Sequence, residues 1–380
     1  MFGLSERRRF NLEIGLRSVV SSARGVWERP ALCPRQPVDI FIALVDHFEP
    51  QVGSPAQAIA RERMDDWLRS YPKIAGKHRD AEGRHPAHSF FYPWDEYDEW
   101  EFTRLAELCA AGWGEVDLHL HHRDDTDASL RRKLREAVTE YARHGMLARW
   151  PDGRPAWGFI HGDWALDNSR NDCGRNYCGV NNELTVLGDE GCYADFTFPA
   201  WQHTAQPRQL NSIYYAVDDP EAAKSYDRGE EARVGRSGSP GLLLIQGPLV
   251  PCVQRAGRGR RLAMDDGDLA ACRRYEPARL DRWVRQGVHV RGRADQVYVK
   301  LHCHGADDKN RIALLGEDLD ALFTDAETRY NDGTRYRLHY VTAREMFNLV
   351  KAAEAGWTGD IAAARDFCLP RVHARTPALV

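Results

Sequence analysis

Long apolar segments and an export signal are both missing from this sequence. No run of about 18 apolar residues occurs in the 380 residues, which argues against a membrane-spanning helix. Residues 1–20 are basic, but they lack the apolar core and the small-residue cleavage site that a secretory signal requires. We therefore expect a cytoplasmic protein.

Regular cysteine spacing and bulk positive charge are missing as well. The 9 cysteines are scattered and odd in number, which does not suit a disulfide scaffold and favours a reducing compartment. Cys173 and Cys178 are close in sequence, but their spacing is wider than in most zinc knuckles, so zinc between them is the less favoured interpretation. The net charge is −4, with 43% hydrophobic and 28% charged residues, which argues against disorder and against a nucleic-acid partner.

Apolar runs of strand length alternate along the chain with stretches of helical periodicity. This order predicts βα units and an α/β protein with a mainly parallel sheet. The predicted strands cover residues 38–45, 87–93, 115–121, 155–161, 192–198, 241–246, 297–302 and 335–341. The predicted helices cover residues 55–70, 99–111, 127–147, 181–190, 276–287, 312–330 and 342–355.

No linker divides the chain into two halves. We predict one α/β domain over residues 37–360, with a basic amphipathic arm over residues 1–36 and a tail over residues 361–380. The Gly- and Arg-rich segments 226–241 and 254–261 are predicted as exposed loops.

The arm combines apolar residues with several arginines. Its apolar positions are Leu4, Phe10, Ile14 and Val20. Such a helix either lies on an anionic membrane surface or packs on the protein itself, and packing is the favoured interpretation. A peripheral membrane contact stays open as the alternative.

Histidines and acids recur where the predicted strands end. In parallel α/β folds these carboxyl ends meet at one mouth, where loops hold the reactive groups. The polar residues at these positions are Asp46, His47, Glu49, His119, His121, His122, His161, Asp163, Asn168, Asp195, His302 and His304. One such histidine is commonplace in a core, but this many at strand ends favours a shared metal site.

Strand periodicity divides the histidines of EVDLHLHH, residues 115–122. Because side chains alternate along a strand, His119 and His121 face one side, and His122 faces the other. His302 and His304 stand in the same relation. Imidazoles on one side can share an ion, and zinc is the first choice, with cobalt, nickel or manganese as alternatives.

The order of these segments resembles that of the NodB-type polysaccharide deacetylases. The resemblance spans residues 38–356 and rests on the segments ALVDH, GEVDLHLHH, ELTVLGDEGCYADFTFP, VKLHCHG and YRLHYVTAREMFNLVKAAEAG. It implies a distorted (β/α) barrel of seven or eight units. It also implies a divalent metal that serves to remove acetyl groups from N-acetylated sugars.

The resemblance further implies roles for individual residues. The implied catalytic pair is Asp46 as general base and His302 as general acid, and the implied metal ligands are His47, His119 and His121. His121 enters this set because the family's second histidine falls on Arg123. The family's arginine-and-proline motif is replaced by HGDW, residues 161–164.

A sugar substrate would lie among polar and aromatic residues near the same strand ends. The predicted substrate-binding residues are His161, Asp163, Trp164, Asn168, Asp195 and His304. Since no export signal is visible, the expected substrates are cytoplasmic lipid-linked or nucleotide-linked precursors of an exopolysaccharide. The aromatic and acidic loop at residues 88–101 would form one wall of the cleft.

Two other functions fit the same residues. A barrel glycoside hydrolase needs two carboxyl groups on either side of the bond, which Asp46 or Glu49 could supply together with Asp163 or Asp195. A degenerate deacetylase fold that only binds a sugar or scaffolds polysaccharide assembly is the other alternative, and Arg123 in place of a ligand is its best support.

Overall fold

The computed structural model describes residues 6–28, 36–172, 174–236, 240–256 and 259–371. The strands are β1 Val38–His47, β2 His88–Pro93, β3 Gly114–Leu120, β4 Ala148–Arg149, β5 Pro155–His161, β6 Asn171–Asp172, β7 Arg175–Asn176, β8 Cys192–Asp195, β9 Ile213–Ala216, β10 Gly229–Glu231, β11 Leu242–Ile245, β12 Val250–Ala256, β13 Gly259–Asp265, β14 Asp268–Leu269, β15 Gln296–Cys303 and β16 Tyr336–Tyr340. The helices are α1 Glu6–Trp27, α2 Gln57–Ala75, α3 Glu99–Ala110, α4 Asp127–Arg143, α5 Glu183–Asp189, α6 Pro277–Gln286, α7 Asp308–Ala313, α8 Leu319–Tyr330, α9 Ala343–Glu354 and α10 Ile361–Ala364. The predicted α/β class is confirmed.

One large, mostly parallel sheet organises the molecule. Its order is β10-β9-β11-β8-β5-β3-β2-β1-β15-β14, and β16 and β4 pair with β1 and β5 from outside this path. Within the described residues the two end strands, β10 and β14, do not pair with each other, so the sheet is open where a closed barrel was expected. Both end strands are very short, and β10 runs antiparallel to its neighbour, which leaves no ladder long enough to close the sheet.

Strand β1 lies inside this sheet, third from the end formed by β14, and is buried along its whole length. It pairs with β15 along most of its length, with β16 through its first half and with β2 at its end. A strand covered on both faces needs an almost continuous apolar sequence, and VDIFIALV provides one. The end of β1 is therefore the place where the last polar residues, Asp46 and His47, meet neighbouring strands.

The two faces of β1 belong to different parts of the core. Ile40, Ile42 and Leu44 pack in one cluster with residues of α2, α3 and α4. Phe41, Ala43 and Val45 pack in a second cluster, which contains most of α9. Because alternate residues of β1 enter different clusters, adjacent residues at its end, such as Asp46 and His47, also point into different surroundings.

The chain beyond residue 360 is part of the fold, where a tail was expected. Arg365 is 1% exposed and pairs with Glu345 of α9 at 2.9 Å, and Leu369 is fully buried. Asn348 of α9 donates to the carbonyl oxygens of both Arg365 and Leu369. These bonds hold residues 361–371 against α9, while residues 372–380 lie outside the described part of the chain.

The arm forms helix α1 and packs on the protein, as the favoured interpretation predicts. Ile14 is buried in a small cluster with Leu210, Leu249 and Met264, and Ser18 donates to the carbonyl oxygen of Leu249 at 2.7 Å. Leu4 lies outside the described residues. No helix in the described part of the chain combines the length and apolar character that crossing a bilayer requires.

The predicted loop at residues 254–261 takes a different form. Its described residues, 254–256 and 259–261, belong to the strands β12 and β13, which pair over seven residues each, and Arg260 and Arg261 are exposed as expected. The predicted loop at 226–241 contains the edge strand β10. Both segments are rich in glycine and arginine. This composition predicts that a segment is exposed to solvent, but it does not exclude a strand.

Candidate functional site

Two histidines and a glutamate converge at the carboxyl ends of the central strands. His47 ends β1, Glu49 follows two residues later, and His119 lies near the end of β3. One nitrogen or oxygen atom from each lies within 4.8 Å of the others, so these three residues, which we call the outer site, could hold a metal ion. The sheet order β1-β2-β3 and the register of these strands bring the three side chains together.

The orientation of His119 is fixed by a hydrogen bond to the backbone. Its Nδ1 lies 2.8 Å from the carbonyl oxygen of Ile160, and since a carbonyl only accepts, Nδ1 carries the proton. Its Nε2 therefore faces Glu49 Oε1, 2.9 Å away. A metal-binding histidine is commonly held in this manner, with its second nitrogen bonded to a carbonyl group.

His121 and His304 flank the outer site. His121 Nε2 lies 3.1 Å from Glu49 Oε1, and His304 Nδ1 lies 3.6 Å from Glu49 Oε2. The other ring nitrogen of His121 lies 3.1 Å from Asp95 Oδ2. Burial would lower the pKa of His121, but Asp95 and Glu49 outweigh it and raise the pKa to about 10. His121 thus lies between two carboxylates, one of which belongs to the outer site, and its role as a ligand stays a prediction.

The charges of the outer site favour metal-binding forms. Burial alone would raise the pKa of Glu49, but its contacts with the imidazoles of His119, His121 and His304 hold it well below its usual range. Burial, together with the charges of His304 and His119, holds the pKa of His47 well below its usual value. Glu49 is therefore ionised and His47 neutral, as metal coordination requires.

A strained loop covers the site on one side. Asp163 and Trp164 follow β5 with φ angles of 56° and 55°, and Asp167 and Asn168 have φ angles of 54° and 52°. Left-handed backbone is tolerated by Asp and Asn, but it is uncommon for a residue as bulky as tryptophan. The Trp164 ring lies 6.3 Å from the ring of His47, and its buried Nε1 makes no hydrogen bond. Strain of this kind is typical of a segment that is held in place for function.

A pocket open to solvent lies next to His121. It is lined by Asp95, Glu96, His121, His122, Arg123, Lys133 and Asp163. One carboxylate oxygen of Glu96 is buried without a hydrogen bond. Burial and the nearby charges of Glu49 and Asp95 raise the pKa of Glu96 to about 7. Glu96 can therefore both accept and donate a proton near neutral pH.

Asp46 lies away from the outer site, which does not support its predicted role as general base. One carboxylate oxygen lies 2.9 Å from His88 Nε2, and the other accepts the backbone N–H of Gly305 at 2.6 Å. Asp46 is fully buried and groups with His88 and Cys303, while His47 groups with Glu49 and His119. Strand alternation is the cause, since adjacent residues of β1 point to opposite sides.

His302 is buried among positive charges, which does not support its predicted role as a protonated general acid. Burial and the nearby Lys300 and His304 hold its pKa well below the usual value. His304 lies closer to Glu49, its side chain is 31% exposed, and Glu49 raises its pKa against the effect of burial. Of these two histidines, His304 is the one that can carry a proton beside the outer site.

Three of the predicted substrate-binding residues make internal contacts. Asn168 donates to Asn181 Oδ1 at 2.6 Å and accepts from the backbone of Gly179 at 3.2 Å. Asp195 is 1% exposed and accepts both the backbone N–H and the hydroxyl of Thr197. His161 is fully buried. Asn168, Asp195 and His161 therefore form part of the packing around the site and are not placed to contact a substrate.

Asp163, Trp164 and His304 remain at the surface of the site. Asp163 lies 3.4 Å from Arg123 at the rim of the pocket, and the Trp164 ring lies 6.1 Å from the ring of His304. Arg123 itself is half exposed and also lies over the ring of Tyr177. These are the residues that a substrate could contact.

A second convergence of donors lies directly behind the first. His122, which follows β3, and His161, which ends β5, meet Cys178 and Glu183, and one donor atom from each lies within 4.8 Å of the others. We call these four residues the inner site. Two more groups of this kind, Asp46/His88/Cys303 and Asp80/Glu82/His339, occur elsewhere in the described residues. Buried groups that could hold a metal ion are therefore present, as the sequence predicts in general terms.

Several functional residues were not predicted from the sequence. Glu49 was noted at a strand end but was not assigned to the metal, although its spacing of two from His47 places both on one side. Asp95 and Glu96 follow β2 in the same manner as the predicted residues follow other strands. Cys178 and Glu183 lie in a loop and at a helix start, where neither strand periodicity nor spacing gives a signal.

No known protein family matches this chain, and no curated protein sequence matches it at a significant level. Its function is therefore argued from the residues of the outer site and their geometry.

Proposed function

We propose that the protein is a metal-dependent hydrolase that removes an acetyl group from an N-acetylated sugar. The observation that carries this proposal is the outer site, in which His47, Glu49 and His119 bring two imidazoles and one carboxylate within 4.8 Å. The site lies at the carboxyl ends of parallel strands, where reactive groups collect in α/β folds.

The donor set suits zinc. Catalytic zinc sites commonly use three protein ligands, including sets of two histidines and one glutamate, and leave a fourth position open. Cobalt, nickel and manganese accept the same nitrogen and oxygen donors. A bound ion would polarise the amide carbonyl of the substrate and acidify a water molecule. Asp46, which the sequence suggested for this centre, has other partners, whereas His121 contacts Glu49 directly.

Glu96 and His304 are the proposed proton carriers. Glu96 has an unpaired carboxylate oxygen and a pKa of about 7, so it can remove a proton from the attacking water. His304 is held beside Glu49 in a form that favours the proton, so it can donate to the departing amine. The two residues approach the outer site from different strands, β2 and β15.

Trp164 is the proposed contact for the sugar ring. Its aromatic face lies beside His47 and His304, and its Nε1 can donate to a hydroxyl or a carbonyl oxygen. Arg123 and Asp163 supply polar groups at the rim. The class of substrate we propose is a lipid-linked or nucleotide-linked N-acetylated sugar that serves as a precursor of an exopolysaccharide.

Release of acetate tests this function. The purified protein is loaded with zinc and incubated with a panel of N-acetylated mono- and oligosaccharides, and acetate and new reducing ends are measured separately. We expect acetate from the wild type and none from Glu49→Gln. New reducing ends without acetate would identify a glycoside hydrolase, and sugar binding with neither product would identify a carbohydrate-binding protein.

A further inference from the structure

We infer that the inner site, formed by His122, His161, Cys178 and Glu183, is a structural zinc site. The four donors come from separate parts of the chain, and their side chains are 3% exposed or less. Four protein ligands without solvent access are the usual form of structural zinc sites. This inference goes beyond the proposed function, which needs only the outer site.

The hydrogen bonds around the inner site leave its donor atoms facing one another. His161 Nδ1 lies 2.5 Å from the carbonyl oxygen of Gly162, so it carries the proton and Nε2 is the free donor. That Nε2 is buried, makes no hydrogen bond and lies 3.5 Å from Glu183 Oε1. His122 Nε2 reaches the same oxygen at 2.9 Å, and Cys178 Sγ lies 3.3 Å from Glu183 Oε2.

An outer layer of contacts supports His122 and Glu183. His122 Nδ1 lies 3.1 Å from Asp125 Oδ2, and Asp125 also accepts from Lys133 and Ser129 at 2.7 Å each. The backbone N–H of Asp167 donates to Glu183 Oε2 at 2.5 Å. A carboxylate behind a metal-bound histidine is the usual means of fixing its ring.

Charge favours a divalent ion at this place. A fully buried carboxylate is costly unless it is paired, and apart from the backbone N–H of Asp167 the partners of Glu183 are two imidazoles and a thiol. Zinc bound by Glu183, by the Cys178 thiolate and by two neutral imidazoles gives a site of zero net charge. The thiol proton leaves to solvent as the bond from sulfur to zinc forms, and no oxidation or reduction takes place.

The inner site would hold the strained loop in place. His161 precedes this loop, and Cys178 and Glu183 follow it, while His122 belongs to the segment that carries His121. A Cβ atom on Gly162 would lie 2.2 Å from His121 Cδ2, so the backbone between the two sites has no spare room. Zinc at the inner site therefore positions Trp164 and His121 without contacting the substrate.

Cobalt loading of the full chain tests the inference. Co²⁺ bound by a thiolate gives a near-ultraviolet charge-transfer band, and Cys178 is the only thiol in the inner site, while the outer site contains none. We expect this band in the wild type and in His119→Ala, and we expect its loss in Cys178→Ser. Cys303→Ser is the matched control, since Cys303 is buried in a different donor group, and it should keep the band.

Zinc content gives the second measurement. We expect two equivalents in the wild type and one in each of His119→Ala and Cys178→Ser. A single equivalent that survives His119→Ala but not Cys178→Ser would support the inner site while the proposed function fails. A wild type without the cobalt band, or a band that is lost in Cys303→Ser but not in Cys178→Ser, would overturn the inference, even if one variant fails to fold.

A different observation supports a second proposal, which concerns helix α1. One face of α1 packs on the protein, but the opposite face exposes a row of large apolar side chains. The exposed fractions are 57% for Leu12, 70% for Leu16, 55% for Val19, 69% for Val20 and 90% for Trp27. Their spacing of three, four and seven residues places them on one helical face.

The hairpin β12–β13, which packs against the buried face of α1, carries two further exposed apolar side chains. Val253 and Leu262 form a cross-strand pair and are 59% and 86% exposed. Met264 lies two residues from Leu262, on the same side of β13, and it packs in the cluster that contains Ile14 of α1. The exposed pair therefore lies on the side of the hairpin that faces α1.

We propose that this surface, formed by the α1 row and the Val253/Leu262 pair, docks on an anionic lipid bilayer. Arg17 pairs with Glu13 on the same helix, but Arg8, Arg9, Arg260 and Arg261 are exposed beside this surface and give it positive charge in a protein of net charge −4. A second copy would present the same positive surface, so self-association would bring like charges together. Exposed apolar side chains beside arginines on an amphipathic helix are typical of peripheral membrane contact.

Vesicle flotation tests this docking surface. We expect the wild type to bind vesicles that contain phosphatidylserine, to bind less at high salt, and to bind poorly to vesicles of phosphatidylcholine alone. Leu16→Glu combined with Val20→Glu should abolish binding. Ile312→Glu is the matched control, because Ile312 is an apolar residue of α7 that is 70% exposed and lies outside this surface. No flotation of the wild type, or a stable dimer without flotation, would overturn the proposal.

Discussion

The outer and inner sites are built from similar residues but differ in access and in donors. The outer site offers two imidazoles and a carboxylate, with the partly exposed His121 and His304 beside it. The inner site offers two imidazoles, a carboxylate and a thiol, with all four side chains buried. An open position and exposed flanks suit chemistry, whereas four enclosed ligands suit stability.

The two sites share one segment of chain. His119, His121 and His122 lie within four residues, and strand alternation directs the first two to the outer site and the third to the inner site. On the neighbouring strand, His161 enters the inner site, and the loop that follows carries Trp164 to the outer site. The same alternation thus places the proposed catalytic site beside the proposed structural zinc site.

The largest expected effect is a loss of activity that depends on the outer site and not on the inner site. His119→Ala removes a donor of the outer site, and we expect kcat/KM for acetate release to fall by about 10³-fold or more, because the centre that polarises the carbonyl is lost. The melting temperature should change little by comparison. Steady-state kinetics and thermal melting of the same preparation measure both quantities.

Cys303→Ser serves as the control for this experiment, since it alters a buried donor outside both sites. An unchanged kcat/KM in His119→Ala would show that the outer site does not carry the reaction.

The next effect is a loss of folding stability that depends on the inner site and not on the outer site. Glu183→Gln removes the buried carboxylate that the other inner donors face, and we expect the free energy of unfolding of the zinc-loaded protein to fall by about 3–4 kcal/mol. Urea denaturation measures this change. Glu107→Gln, on the exposed side of α3, is the control and should lie within about 0.5 kcal/mol of the wild type. A loss of stability that is equally large in metal-free protein would assign Glu183 to packing alone.

The sequence predicted the individual helices and strands better than it predicted whether the sheet closes into a barrel. Each predicted strand and helix of the βα series corresponds to an observed element, because apolar runs and helical periodicity reflect burial directly. Closure of the sheet depends on short edge strands such as β10 and β14, which carry too few residues to give a periodic signal. The barrel was therefore expected from resemblance, and the structure shows an open sheet.

The sequence predicted where the residues of the candidate site lie along the strands, but it did not predict which of them contact one another. His47 and His119 were found from their places at strand ends, and His122 was correctly separated from His121. The resemblance to the deacetylases implies that Asp46 lies at the reaction centre with His47, yet adjacent residues of a strand point in opposite directions. Cys178 and Glu183 come from a loop and a helix start, so only the tertiary structure brings them to His122 and His161.

A smaller effect tests the backbone between the two sites. Gly162→Ala places a methyl group 2.2 Å from His121 Cδ2, and we expect a loss of about 2–3 kcal/mol in stability, because neither the ring nor the strained loop can move freely. Activity should fall as well, because His121 contacts Glu49. Denaturation and kinetics measure the two losses.

Gly188→Ala is the matched control for this substitution. Gly188 lies in α5, and an added Cβ there has no atom within 4 Å, so alanine should stabilise the helix by about 0.5–1 kcal/mol. If Gly162→Ala were as harmless as Gly188→Ala, the two sites would not be coupled through this residue.

The last effect distinguishes stability in acid that depends on bound metal from stability that does not. Glu345 lies in α9, away from both sites. Burial would raise its pKa, but Arg365, Arg344 and Arg84 lower it from 4.5 to about 2. A carboxyl whose pKa is lower in the folded state contributes stability above pH 4.5, and this contribution is lost as the pH falls through 2. In metal-free protein, Glu345→Gln should therefore cost about 3 kcal/mol above pH 4.5, and the two unfolding curves should converge near pH 2. Zinc-loaded protein should show a further loss of stability in acid, since protonation of the inner-site donors releases the metal. This second loss should be absent from Cys178→Ser.

If chelated and zinc-loaded wild type lost stability in parallel across this range, the acid sensitivity would come from the arginine–carboxylate contacts of α9 alone. The inner site would then contribute nothing to the stability of the fold.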